Sequence, residues 1–322
     1  MSNDHKIKTI MNAKGCSFLA VFKTCIKNIS PRRVAALGYV LGTLVWLADM
    51  RHQRIVKRNL RFAYPEWSDN YIGKVSRHVF ENAAKTFLEI CQITCFSKED
   101  ILKRVRIRGE ENLRRAVENP KGAIMISAHL GNWEMAHLAI SCYASVSMLL
   151  VARRIRPEML NQGLARVRRR FGNTVVDKSR ALPKMARRLN GGKVLGLLID
   201  QKPKHSRGVD VTFFGKPTTI TPAPALLARR YGSPILPAFC IRETDGRLTL
   251  IVEPAIQPVK TNDPGADLKA NMQAMSLSIE RAIRAYPDQW FWFHKRWKHH
   301  FPHLYKEDLD RLRRRRAKKR KA

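Results

Sequence analysis

Acidic residues are scarce in this sequence. Its 322 residues carry 26 Asp and Glu against 61 Lys and Arg, a formal net charge of +35. A chain this basic expects a polyanionic partner: nucleic acid, an anionic membrane surface or an acidic protein. Cysteine is sparse as well. The six residues Cys16, Cys25, Cys91, Cys95, Cys142 and Cys240 show none of the paired short spacings that zinc sites use and no disulfide framework, which suits a reducing compartment. Cys91 and Cys95, four apart, share a helical face and read as small buried residues. No compact apolar core precedes a small-residue cleavage site, so no cleavable signal peptide is expected. Internal repeats are missing. So are helix-turn-helix, zinc-finger and RRM-type signatures, and the aromatic residues cluster with apolar runs instead of interleaving with basic stretches. These absences argue against the non-enzymatic alternative, a basic nucleic-acid-binding protein.

What is present begins near residue 30. Ser30 can cap a helix and Pro31 suits its first position. Val34 to Ala48 carries no charge, and fifteen residues make about 22 Å of helix, short of the ~30 Å hydrocarbon core of a bilayer. Arg32 and Arg33 precede the run; Arg51, Arg54, Lys57, Arg58 and Arg61 follow it. A short apolar helix with basic flanks is expected to lie in one leaflet, anchored to anionic headgroups, with a core helix of a soluble domain and a tilted span as the alternatives. This divides the chain into a membrane-anchoring segment over 1–62, a main domain over 63–305 and a basic tail over 306–322. Nine of the twelve residues from Arg311 to Ala322 are Lys or Arg, a block expected to stay solvated.

Residues 64–120 read as helical, with one amphipathic stretch through Val75, Val79, Phe80, Phe87 and Leu88 and a second from about Glu99 to Val117. Beyond the break at Asn119-Pro120-Lys121-Gly122 the elements alternate. Strands are expected over 123–127, 146–152, 174–176, 194–199, 235–241 and 248–252. Helices are expected over 133–144, 157–171, 180–190, 221–231 and 264–285. The alternation predicts an α/β domain whose central sheet is largely parallel and flanked by helices.

The segment Ser127-Ala128-His129-Leu130-Gly131-Asn132-Trp133-Glu134 lies between a strand and a helix. Gly131 permits a sharp turn and Asn132 is a good cap. His129 then stands at the carboxyl end of a strand, where open α/β sheets place ligands. On one continuous helix His129 and Glu134 would point about 140° apart; across a strand–turn–helix junction they can face each other. The expected roles are His129 as general base toward a hydroxyl and Glu134 as the carboxylate that fixes its tautomer.

The form His-Leu-Gly-Asn-Trp-Glu resembles the lipid A biosynthesis (Kdo2-lipid A) acyltransferases, the late acyltransferases of the lysophospholipid acyltransferase superfamily. Glycerolipid members usually carry Asp where Glu134 stands. Arg58-Asn59-Leu60 and Tyr64-Pro65 resemble the family's opening. Val151-Ala152-Arg153 resembles its Tyr-Arg strand end, with Ala152 in place of the aromatic residue. Asp200-Gln201 and the run Val209 to Gly215, ending Phe213-Phe214-Gly215, resemble its second site segment. Trp292-Phe293-His294-Lys295-Arg296-Trp297-Lys298 resembles its closing signature, with Lys295 where Arg is frequent. Roughly 260 residues match in order, and several motifs together are far more specific than one.

The resemblance implies a glycerolipid-acyltransferase-like fold and a fatty acyl transfer from an acyl carrier protein thioester to a hydroxyl of a phosphorylated lipid A precursor. It implies the cytoplasmic face of a bacterial inner membrane, with anionic lipids as partners, and no metal or other cofactor beyond the thioester co-substrate. Among candidate substrate-binding residues, Arg153 would bind phosphate or an oxyanion. Asp200 and Gln201 would position the acceptor or support Arg153, Asn132 would line the site, and His294, Lys295 and Arg296 would meet an anionic headgroup. Another hydroxylated glycolipid or a phospholipid remains an alternative acceptor.

Overall fold

The computed structural model describes residues 27–153, 158–203 and 208–306. The stretch before residue 27 and the Arg- and Lys-rich tail lie outside the described residues.

Helix α1 (Pro31–Ala48) starts where expected. Ser30 Oγ accepts from Arg33 N at 3.4 Å, and Pro31 opens the helix. The chain then turns at Asp49 into α2 (Met50–Ala63), bent by 97° from α1. No single described helix is long and apolar enough to cross a membrane. Helix α3 (Asp69–Ile93) is the long helix against which α1 packs. Val34, Gly38 and Gly42 form the buried stripe of α1. A Cβ on Gly42 would lie 2.3 Å from Glu81 Cα, so the two backbones approach to a distance only glycine allows. The opposite face of α1 is bare: Leu37, Val40, Leu41, Leu44, Val45 and Leu47 are all about half exposed or more.

The Glu99–Val117 stretch is not one helix. It divides into α4 (Lys98–Arg104), strand β1 (Val105–Arg108) and α5 (Glu110–Val117), separated at Gly109 with φ +83°. Local amphipathicity suits either reading there, and pairing with a distant strand selects the extended one. The following elements are β2 (Ala123–Ser127), α6 (Trp133–Ala144), β3 (Met148–Ala152), α7 (Glu158–Arg168) and β4 (Thr174–Asp177). Next come α8 (Ala181–Asn190), β5 (Val194–Leu198), the hairpin strands β6 (Val209–Phe213) and β7 (Lys216–Ile220), and α9 (Ala223–Tyr231). The last are β8 (Ile235–Arg242), β9 (Leu248–Val252) and α10 (Pro264–Ala285).

Seven strands form one sheet in the order β1-β9-β8-β2-β5-β3-β4. All neighbours are parallel except β8 and β9. The expected α/β sheet flanked by helices is therefore the observed one. The β6–β7 hairpin, a separate antiparallel pair, was not foreseen. Successive residues of a strand face opposite sides, and both sides are covered. Ile124 and Ile126 of β2 and Phe239 and Ile241 of β8 enter one core with α2, α3, α8, α9 and α10; Met125, Ala238 and Cys240 enter the other with α4, α5 and α6. Burial on both faces explains why β2 and β8 read as continuous apolar runs. Cys91, in the last turn of α3, and Cys95, two residues beyond its end, are half-buried. Phe87, expected on the packed face of that helix, is 60% exposed.

Candidate active site

β2 and β5 are parallel neighbours in register, with Ser127 opposite Leu198. Each strand continues by two residues, to His129 and to Asp200. Ile199 N donates to Ser127 O at 3.1 Å and carries the pairing past the strand end. The result is a close pair. His129 Nδ1 lies 2.8 Å from Asp200 Oδ1, and His129 N donates to Asp200 Oδ2 at 2.9 Å. Trp290 Nε1 donates to the same Oδ2 at 2.8 Å. A carboxylate only accepts, so Nδ1 carries the proton and Nε2 keeps a lone pair. Asp200 is 1% exposed. Burial pushes its pKa up, but the electrostatic attraction of its ionised form to His129 and the hydrogen bonds from His129 outweigh burial and hold the carboxyl well below the usual range.

The turn that carries His129 is held from several sides. Gly131 has φ +59°, and a Cβ there would stand 2.1 Å from Cys240 O. Gly131 N donates to Gln289 O, Asn132 N to Cys240 O and Phe291 N to His129 O, all within 3.0 Å. Behind the turn lies a buried ion pair, Arg242 with Glu89, at 2.5–2.9 Å. Arg242 also donates to Asn82 and Thr86, Thr86 Oγ1 donates to Gly131 O, and Asn132 Nδ2 donates to Glu89 Oε2 at 2.8 Å. Helix α3 and the end of β8 are thereby locked to the His129 turn. The rings of Trp133, Phe291 and His294 surround the imidazole, with centroids 5.1, 6.4 and 5.6 Å away.

Glu134 does not serve as the carboxylate of His129. It sits in the first turn of α6, 2% exposed, where Arg168 at the end of α7 binds both its oxygens, with Nε to Oε2 at 2.9 Å. Burial raises the Glu134 pKa, and the Arg168 hydrogen bond and charge lower it below its ordinary value. The physical reason for the correction is direction: the turn through Gly131 sends α6 behind the sheet end, so Glu134 faces α7, while the neighbouring strand delivers Asp200 to the ring. Asn132 is also not in the site. It is fully buried and acts as the cap of α6, its Oδ1 accepting from Met135 N at 2.9 Å.

Of the other expected site residues, Gln201 and His294 do reach His129. Arg153 follows β3 as an exposed residue and makes no hydrogen bond or ion pair with this group. Lys295 stands over the Tyr305 ring, 5.9 Å from its centroid. Arg296 is 2% exposed, donates to Thr219 O at 3.1 Å and lies over Phe213, so it is an interior cation of the hairpin packing, not a surface headgroup contact. Burial pushes its pKa down to about 10. Sequence reasoning missed Trp290 and Arg168. Trp290 stands just ahead of the closing signature; nothing in the crowded basic run around residues 166–170 singles out Arg168.

A histidine paired with a buried carboxylate at the carboxyl end of an open, mostly parallel sheet is the arrangement of an α/β enzyme site able to take the proton of a hydroxyl or similar group. The chain belongs to the bacterial lipid A biosynthesis acyltransferase family, whose model matches residues 5–299. The phosphatidylinositol mannoside acyltransferase of Mycobacterium tuberculosis is 29% identical over 195 residues, 59% of this chain. The chain spans 59% of that relative's length. The lipid A biosynthesis lauroyltransferase of Escherichia coli is 23% identical over 81% of this chain and 84% of its own. A solved 1-acyl-sn-glycerophosphate acyltransferase from Thermotoga maritima aligns over 81% of this chain and 99% of that chain at 14% identity, with a TM-score of 0.38.

Proposed function

We propose that this acyltransferase moves a fatty acyl group from an acyl carrier protein thioester to a hydroxyl of a lipid A precursor, at the cytoplasmic face of an anionic inner membrane. The observation that carries the reading is the His129–Asp200 pair, with Nδ1 committed to the carboxylate and Nε2 left as the base. The acceptor hydroxyl gives its proton to Nε2 as its oxygen attacks the thioester carbonyl carbon. The carbon–sulfur bond then breaks, and the departing thiolate takes the proton back from the imidazolium. An ester and a free thiol result, and His129 returns neutral. General-base help of this kind is worth about 10²–10⁴-fold.

The net charge of +35 supports a phosphorylated acceptor, an acidic carrier protein and an anionic surface together. The bare apolar face of α1 followed by the basic residues of α2 supports a helix lying in one leaflet, with each cation near the surface adding about 1 kcal/mol. A second reading has its own support in the similarity to the phosphatidylinositol mannoside acyltransferase: a mannosylated lipid as acceptor.

The test uses purified wild type and His129→Ala in detergent with radiolabelled acyl-acyl carrier protein. A tetra-acylated lipid A precursor and a phosphatidylinositol mannoside are offered in parallel. Label on the lipid A precursor with wild type alone supports the first reading. Label on the mannoside alone replaces it with the second, and transfer undiminished in His129→Ala removes the base.

A further inference from the structure

Gln201 follows Asp200 directly, so the bond that fixes the carboxylate also fixes where this residue starts. Its side chain is exposed at the mouth of the site. The amide nitrogen lies 2.7 Å from His294 Nε2, 3.1 Å from His129 Nε2 and 3.3 Å from His129 Nδ1. It therefore stands between two imidazoles, against the edge of the catalytic ring.

The hydrogen inventory decides what this arrangement means. An amide nitrogen carries two hydrogens and no lone pair for bonding. His129 Nδ1 is already committed to Asp200. His294 Nε2 at 2.7 Å must then be the acceptor of one amide hydrogen, which needs a neutral His294. Burial supports that state, pushing the His294 pKa down to about 4. The second amide hydrogen is left beside His129 Nε2, where the acceptor hydroxyl and the thioester carbonyl it attacks have to come.

His294 is itself held. Asn59 of α2, 1% exposed, donates to the carbonyl oxygens of both Trp292 and His294 at 2.7 and 2.6 Å, and accepts from Tyr305 Oη at 2.6 Å. The Phe291 ring packs against the imidazole at 5.1 Å. A side chain fixed from behind in this way can fix another in turn.

We infer that His294 is a positioning residue that holds the Gln201 carboxamide against His129, and that Gln201 is a further catalytic residue whose second amide hydrogen meets the carbonyl oxygen of the thioester under attack. In the free enzyme the carboxamide shields His129. In the substrate complex it donates to the thioester carbonyl oxygen, on which negative charge collects during attack, a role in which one preorganised donor contributes about 10²–10³-fold. The inference rests on the acyl-transfer reading for its second half only.

The variants are Gln201→Ala, Gln201→Glu, His294→Ala, His294→Gln and the double alanine variant, each read in two ways. The first reading needs no substrate: the rate at which diethyl pyrocarbonate modifies His129, followed on its peptide by mass spectrometry. Gln201→Ala and His294→Ala are expected to speed modification several-fold, the double variant no further, and His294→Gln, which restores an acceptor, to return to near the wild-type rate. An unchanged rate in Gln201→Ala, or an effect of His294→Ala that persists in full without Gln201, overturns the pair. The second reading is acyl transfer. Gln201→Glu, equal in size but no donor, is expected to lose about as much kcat as Gln201→Ala with little change in KM; full activity in it overturns the donor role. If wild type transfers nothing, the functional reading falls while the modification rates still decide the pair.

Discussion

His129 and Asp200 occupy equivalent places on neighbouring parallel strands, each two residues beyond a paired strand end, and their side chains meet at 2.8 Å. A parallel register with no offset at this point is what brings together residues 71 apart in sequence. The same register makes Asp200 a buried group, so its charge is felt by the imidazole through little solvent.

Asp200→Asn keeps the size of the side chain and can keep the bond from Trp290. It removes the charge that selects the Nδ1–H tautomer and stabilises the imidazolium. Turnover is expected to fall by about 10²–10⁴-fold, with the circular dichroism of the folded protein retained. Wild-type kcat in this variant would show that His129 works unassisted.

Glu134→Ala should act first on stability. It strands the Arg168 guanidinium, whose side chain is 20% exposed, beside a 3% exposed carboxylate position. Breaking a buried pair from one side costs about 3–5 kcal/mol. The urea midpoint is expected to drop accordingly, and Glu134→Ala with Arg168→Leu to recover part of the loss. A variant of undiminished stability that lost turnover alone would return Glu134 to the chemistry.

Leu41→Asp and Leu44→Asp change side chains that touch water in the isolated protein, so folding should survive them. If the bare face of α1 enters a lipid surface, each removes about 1.5–3 kcal/mol of apolar burial. Sedimentation with anionic vesicles should then show binding at least tenfold weaker. Equal binding by wild type and both variants would remove α1 from the interface.

His137 and His294 give the stability a defined acid limb. Burial pushes the pKa of each down to about 4 from an ordinary 6.5. Between those values the unfolded chain binds the proton and the folded one does not. Stability therefore falls as pH drops from about 6.5 to 4, by about 1.4 kcal/mol per pH unit per histidine at the steepest. Denaturation midpoints across that range check the slope; His137→Phe should flatten it, and an unchanged slope in that variant would assign the limb elsewhere.

Chain-local chemistry settled much of this protein in advance. Continuous apolar runs marked β2, β5 and β8, because strands covered on both faces need no polar alternation. Ser30-Pro31 marked the start of α1, and Gly131-Asn132 the turn into α6, because capping and positive φ are decided within a few residues. His129 was legible for the same reason: a histidine between a buried strand and a capped helix stands at a strand end whatever surrounds it.

Which carboxylate serves that histidine was not a local matter. Glu134 is near in sequence and Asp200 is far. The order of strands in the sheet, with β5 beside β2, gives the ring to Asp200 and gives Glu134 to Arg168. Strand β1 was hidden in an amphipathic stretch because only a partner strand about 140 residues away makes it extended. Arg296 looked like a surface cation within a basic, aromatic signature, and only the β6–β7 hairpin closing over it makes it interior. In each case the deciding contact joins residues that no short window contains, and its free energy comes from burial that exists only once the sheet and its helices have assembled.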